Sequence, residues 1–337
     1  MRLARHAAAP AAVVCALLLA GCEAGYYTQL LRGQYDLLSR RESMEALIAR
    51  PDTDAALKER LSRALAARQF ASEKLLLPDN GSYRKYADVD RPYVLWNVFA
   101  APEFSLRGHE WCYLFLGCLS YRGYYDEAAA QEQAGKLRGQ GLETYVGGVP
   151  AYSTLGFFDD PLLNTISGDE AAVAGTIFHE LAHQVKFVKG DTAFNESFAT
   201  FVEQQGLRQY LAGRPELLQA SEQRRELQGK FIEVTLSARK RLEVLYASKL
   251  PEAEMRSRKR SELEALRAEW AKLGVPLSGE VNNARLLPFG LYFEWVPAFA
   301  ALHASVGGDW AKFYKEVDAL ADLDFDDRQA ALSSRTK

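Results

Sequence analysis

Cysteine is scarce here, with four residues among 337, too few for a disulfide scaffold. A basic excess is also missing. The 41 lysines and arginines face 44 acids and leave a net charge of −3, which argues against a protein held to nucleic acid by bulk electrostatics. After residue 22 the apolar runs are short and broken by charge, well below the ~20 residues a membrane-spanning helix needs. No internal repeat, low-complexity tract or glycine-rich phosphate loop is found. What is there has a globular balance, 48% hydrophobic and 25% charged, at a length that suits one large domain or two modest ones.

The first residues stand apart. Arg2 and Arg5 precede an apolar stretch from Ala7 to Ala20, and the segment closes on Leu19-Ala20-Gly21-Cys22. The pattern is that of an export signal, too short for a comfortable span and ending in small residues. Its last four residues resemble a bacterial lipobox, which implies removal of residues 1–21 and acylation of Cys22. Two or more acyl chains anchor a protein stably without any further span. Glu23 follows the cysteine where an aspartate would favour the inner membrane, so sorting rules of this kind imply a lipid-anchored protein of the bacterial cell envelope, on the periplasmic face of the outer membrane. Residues 22–337 are then expected as one domain on a lipid tether.

Export also sets the redox setting. Cys15 leaves with the signal and Cys22 is acylated, so Cys112 and Cys118 remain as an even pair in an oxidising space, which favours a disulfide. An extended chain would hold them too far apart, so the bond requires a turn, which Gly117 permits.

Along the body, residues 25–77 read as a helical region of two helices parted by Arg50-Pro51-Asp52-Thr53, with Asp52 or Thr53 capping the second. Pro78-Asp79-Asn80-Gly81 marks a turn. Short strands are expected at Tyr93 to Ala100, Tyr113 to Tyr121 and Thr144 to Tyr152, with a helix from Glu127 to Leu137 between the last two. From Asp169 helices dominate. Glu216 to Ser248 and Glu252 to Leu273 are dense in Arg, Lys and Glu and read as a solvated helical hairpin within residues 214–273, with no nucleic-acid role.

The chemistry concentrates at His179-Glu180-Leu181-Ala182-His183. Histidines at i and i+4 share one helical face about 6 Å apart and can turn both imidazoles toward one Zn2+. Glu180 lies beside them, where a carboxylate can take a proton from activated water and return it to a leaving amine. The flanks are uncharged from Gly175 to Gln184, which is unlike a solvated helix face.

A catalytic zinc keeps three protein ligands and an open position, so a third must follow. His109 and His303 lie far from the motif and read as packed histidines. Lys189-Gly190-Asp191-Thr192 ends the motif helix and starts another over residues 193–211, with Asp191 as its cap. Glu196 then faces His183 across the turn, and Glu203, two turns on, is open as ligand or as partner of a histidine.

Phe194-Asn195-Glu196-Ser197-Phe198-Ala199 resembles the predicted zinc aminopeptidases of bacterial lipoproteins, related to the glutamate-liganded zinc peptidases. The resemblance extends through Tyr121-Arg122-Gly123-Tyr124-Tyr125, Pro150-Ala151-Tyr152-Ser153-Thr154-Leu155-Gly156, Phe158-Asp159-Asp160-Pro161 and Asn282-Asn283-Ala284-Arg285-Leu286, nearly the whole body. It implies an α+β, zincin-like peptidase domain with a small sheet, Glu196 as third ligand, and a peptide substrate. The sequence departs from thermolysin-like relatives at Thr200, where they often carry an aspartate.

Such peptidases place an edge strand beside the motif helix, and Ala151, Tyr152 and Ser153 are the candidates for pairing with substrate, with Gly147 and Gly148 allowing close approach. Tyr292 is the candidate hydroxyl for the oxyanion, with Tyr152 competing. The expected activity is zinc-dependent peptide hydrolysis, as an aminopeptidase. A zinc endopeptidase and a non-catalytic peptide-binding lipoprotein are the rivals. The anchor generates a prediction of its own: Cys22→Ala should leave the membrane fraction after detergent-free lysis, and a variant that sediments as firmly as wild type would refute the tether.

Overall fold

The structure, a computed structural model, describes residues 8–113, 117–166, 168–275 and 279–335, without the side chains of residues 8–23, 291 and 292. It is a mixed α+β fold in which helices outweigh small sheets. In chain order the elements are α1 (Ala8–Ser39), β1 (Glu42–Ser43), α2 (Met44–Ala49), α3 (Ala55–Leu75), β2 (Lys85–Ala87), β3 (Leu95–Pro102), β4 (Trp111–Tyr113), β5 (Gly117–Leu119), β6 (Arg122–Tyr124), α4 (Glu127–Gly139), β7 (Leu142–Val149) and β8 (Leu162–Leu163). Then follow α5 (Glu170–Val185), α6 (Thr192–Tyr210), α7 (Pro215–Tyr246), α8 (Glu252–Lys272), α9 (Asn283–Phe293), α10 (Val296–Ser305), α11 (Trp310–Ala321) and α12 (Phe325–Arg335). Among the described residues no helix is long and apolar enough to cross a membrane.

Several boundaries differ from the sequence expectation. The helical region before residue 77 has three helices, and the third is capped by Asp54, which accepts from Leu57 N at 3.0 Å, rather than by Asp52 or Thr53. The run from Tyr113 to Tyr121 is split: β4 and β5 form a hairpin whose Cys112–Cys118 register pair is disulfide-bonded. The strand expected over Thr144 to Tyr152 stops at Val149. Pro150 has no N–H for a ladder, and β3 begins at Leu95, the partner of Val149, so no strand is left to pair with the next residues.

The main sheet is antiparallel in the order β6-β3-β7, and β7 pairs along the full length of β3. Helix α4 covers one face through Ala130, Ala134 and Leu137, and α9 packs Ala284 and Leu287 on the other against Phe99 and Ala101. Helix α1 closes the β6 side. Arg122 lies 3.6 Å from the ring centre of Tyr26, and Gln29 accepts from Tyr125 N at 3.0 Å. Helices α7 and α8 form the charged hairpin, closed inside by Ala238, Leu242, Leu266 and Trp270 and tied outside by Arg241 to Glu262 at 2.8 Å.

The largest core lies where α3, α5, α6 and the C-terminal helices meet. Two glycines permit this closeness. A Cβ on Gly206 would stand 2.7 Å from Leu75 and 3.0 Å from Phe178, and one on Gly175 would stand 3.0 Å from Leu207 and 3.2 Å from a Glu203 oxygen. Under α5, the fully buried Arg68 donates to the carbonyls of Ser82 and Pro78, both at 2.7 Å, and of Asn80 at 3.1 Å. Burial lowers its pKa to about 10, yet the guanidinium serves carbonyls that would each cost about 1–3 kcal/mol if left bare. The turn so pinned holds the end of α5, since Asn80 Nδ2 donates to Gln184 Oε1 at 2.7 Å and Gln184 Nε2 donates to Ser82 Oγ at 3.2 Å.

Candidate metal centre

Helix α5 starts on an Asp169 cap, carries an apolar face of Val173, Ala174, Ile177, Phe178 and Leu181 into the core, and turns His179, Glu180 and His183 toward the sheet side. After it, Gly190 takes a positive φ of 79° and Asp191 caps α6 by accepting from Phe194 N at 3.0 Å. Asn195 locks this turn, accepting from Val188 N at 2.7 Å and donating to Val188 O at 2.8 Å. Phe194 and Phe198 are buried on the core side, Ser197 Oγ accepts from Trp295 N at 3.1 Å, and the remaining face presents Glu196 to the histidines.

One Glu196 oxygen, Oε2, lies 3.4 Å from His179 Nε2 and 3.5 Å from His183 Nε2. The three donor atoms lie within 4.8 Å of one another and form a group that can hold a metal ion. The two separations from the carboxylate oxygen match edges of one tetrahedral ion, because ligands at ~2.0–2.1 Å subtend edges of ~3.3–3.5 Å. The donor set fits as well: two imidazoles and a carboxylate are ligands of a catalytic zinc site with an open fourth position.

Glu203 takes a different place. Its Oε2 is 3.2 Å from His179 Nδ1, the nitrogen facing away from Glu196. From there it can orient the imidazole, the part that a carboxylate partner plays for a ligating histidine, while the Nε2 side faces Glu196. Support of the kind expected four residues after Glu196, where Thr200 stands, comes one turn later. His183 Nδ1 is buried without a hydrogen-bond partner among the described residues.

The electrostatics follow from burial and proximity. Burial disfavours a charged His179, but hydrogen bonds to Glu196 and Glu203 outweigh it and raise the pKa well above the ordinary range. Burial likewise opposes ionisation of Glu196, yet the His183 charge and hydrogen bonds to both imidazoles hold the carboxyl far below its usual range. This carboxylate therefore stays anionic beside the two imidazoles. Burial pushes Glu180 upward, and the His179 and His183 charges offset part of that.

These groups open into a cleft of about 370 Å³ whose other wall carries Leu95, Asn97, Tyr121, Ala151, Tyr152 and Ser153. Residues 151–153 thus face the site, but as irregular chain rather than as an edge strand, for the reason given at Pro150. The following loop is held in place by Asp160, which accepts from Thr154 N at 2.9 Å and Thr154 Oγ1 at 2.8 Å; burial pushes its carboxyl up to about 7. The space beside Gly148 is filled by the Tyr93 ring, 2.3 Å from where a Cβ would stand, so that glycine serves packing rather than substrate approach.

Tyr152 is not free for an oxyanion. Its hydroxyl donates to Gln34 and lies 2.6 Å from the Tyr125 hydroxyl. Tyr292 belongs to α9, and its side chain lies outside the described residues; the Cys22 side chain does too. Tyr121 was not singled out from the sequence. It lines the cleft, and burial together with the Glu196 and Glu180 charges raises its pKa, which keeps the hydroxyl protonated. Only its place just ahead of Arg122-Gly123-Tyr124-Tyr125 hinted at it. His109 packs on Trp111 and His303 on Trp310, away from the site.

A family model described as "Putative aminopeptidase" matches residues 25–332. The chain belongs to this aminopeptidase family. No curated protein and no solved structure matches it. Membership brings a peptidase-like function to a fold whose described residues gather one group that could hold a metal ion.

The ligand assignment generates a direct test by metal titration against a competing chelator. Glu196→Ala should lose high-affinity binding, whereas Glu203→Ala should retain the ion at about 10- to 100-fold lower affinity. Loss of the metal in Glu203→Ala with retention in Glu196→Ala would exchange the two roles.

Proposed function

We propose that the protein is a zinc-dependent aminopeptidase, tethered to the envelope membrane through lipid on Cys22. The observation that carries this reading is the convergence of both Nε2 atoms on a single Glu196 oxygen at 3.4 and 3.5 Å, in a cleft that also holds Glu180. His179, His183 and Glu196 would hold the zinc ion, which when bound would supply Lewis acidity toward a peptide carbonyl and toward water.

The remaining work falls to side chains. Glu180 takes one proton of the attacking water as the oxygen bonds to the carbonyl carbon, and returns it to the nitrogen as the C–N bond breaks, so acid and base are one group in two steps. Its buried setting keeps bulk water from competing for that proton. Tyr121 directs a protonated hydroxyl at the charge that develops on the carbonyl oxygen, with Tyr292 as the alternative donor. Leu95 and Ala151 give the cleft an apolar wall for the substrate side chain, and Tyr152 and Ser153 border it beside the motif helix.

Glu180→Gln is isosteric and removes no ligand, so zinc content and melting temperature should match wild type while kcat falls at least 100-fold, as general acid–base catalysis is worth about 100- to 10,000-fold. Tyr121→Phe should lower kcat by about 100-fold with a smaller change in KM, the usual cost of one lost oxyanion donor. Hydrolysis of aminoacyl and internally quenched peptides by zinc-loaded variants measures both. Full activity in Glu180→Gln would overturn the mechanism, and full activity in Tyr121→Phe would transfer the oxyanion role to Tyr292.

A further inference from the structure

A second recess of about 410 Å³ shares His179 and Glu203 with the metal cleft and runs from them between α6 and the hairpin helix α7. Its far end is basic, built from Arg208 of α6 and Arg224 and Arg225 of α7. Arg224 is paired with Asp169 at 2.6 Å. Arg225 has one carboxylate nearby, Glu222 at 3.6 Å, and Arg208 makes no ion pair among the described residues, donating only to Gln205 at 3.5 Å. Burial and the Arg208 charge depress the Arg225 guanidinium, so the two cations are near enough to repel. Glu203 does not relieve them, being engaged by His179. Two guanidiniums facing one recess with a single counter-charge there, Glu222 at 3.6 Å from Arg225, leave one positive charge in excess and favour an anion beside Arg208, and a carboxylate is the anion that a planar guanidinium matches with paired hydrogen bonds.

We propose that this recess binds a carboxylate of the substrate, so that the enzyme selects short peptides whose far end reaches Arg208 and Arg225. The inference rests on the peptidase reading and specifies its substrate class. Arg208 stands twelve residues beyond Glu196 on α6, which is about 18 Å along the helix axis, and its side chain covers part of that span. An extended peptide advances ~3.4 Å per residue, so about three to five residues bridge the rest, and peptides of about four to six residues place one end at His179 and His183 and the other at the arginines. The carboxylate has two sources, the C-terminus or an acidic side chain near it.

Binding to the full zinc-loaded chain carrying Glu180→Gln, which removes turnover, distinguishes them by calorimetry. The probes are pentaalanine as free acid, pentaalanine amide, and the same amide with aspartate at its last position. The free acid should bind about tenfold more tightly than the plain amide, and Arg208→Gln with Arg225→Gln should erase the difference. If the aspartyl amide matches the acid, side-chain carboxylates are accepted; if it matches the plain amide, the C-terminus is the ligand. Equal affinity for acid and amide, a difference that persists in the double variant, or no binding of either overturns the recess. Hydrolysis of the plain amide by wild type, measured separately, decides the peptidase reading, so the two can fail independently.

Discussion

The close packing of α5 on α6 is the constraint on which the site depends. Two histidines one turn apart can face one carboxylate from another helix only if the two backbones approach closely, and the contact is set at Gly175 and Gly206, where a Cβ would meet Leu207, Leu75 or Phe178 at 3.0 Å or less. The same contact lays Glu203 against α5, so the approach of Glu196 to both histidines and of Glu203 to His179 follows from one packing event. The connecting end of the pair is fixed from two sides, by Asn195 in the turn and by the Arg68-held loop at Gln184.

The linear order already carried the parts with local causes. The i, i+4 histidines, the Asp191 cap, the turn at Gly190 and the charged hairpin each depend on neighbours within a few residues, and each lies where local rules put it. What escaped depends on distant partners. Glu196 and Glu203 share a face of α6, and only the depth of helix packing decides which meets Nε2 and which Nδ1. Strand β7 ends at Val149 because β3 supplies no further partner, and that is invisible in the alternation of residues 144–152. Tyr121 is one of 16 tyrosines, and its proximity to Glu180 is a tertiary fact.

Several motifs that stand out in the sequence serve the scaffold. Asn282 caps α9 and reaches Thr144 O at 3.2 Å, while Asn283 donates to the carbonyls of Pro102 and Glu103 at 3.1 and 2.8 Å and accepts from Tyr246 at 2.8 Å. The pair therefore ties the α7–α8 hairpin to the sheet. Asp160 acts through Thr154, fixing the loop beside the cleft. Such clamps are needed because the cleft lies between elements from four parts of the chain, none of which folds into position by local preference alone.

The central claim is that a single metal ion at His179, His183 and Glu196 makes the protein a peptidase. The most direct test is removal and return of that ion, following metal content and peptide hydrolysis in the same sample. Close to one equivalent of zinc in the purified protein, loss of hydrolysis on chelation and its recovery on adding one equivalent are the predicted result. Hydrolysis that persists in metal-free protein would contradict the account.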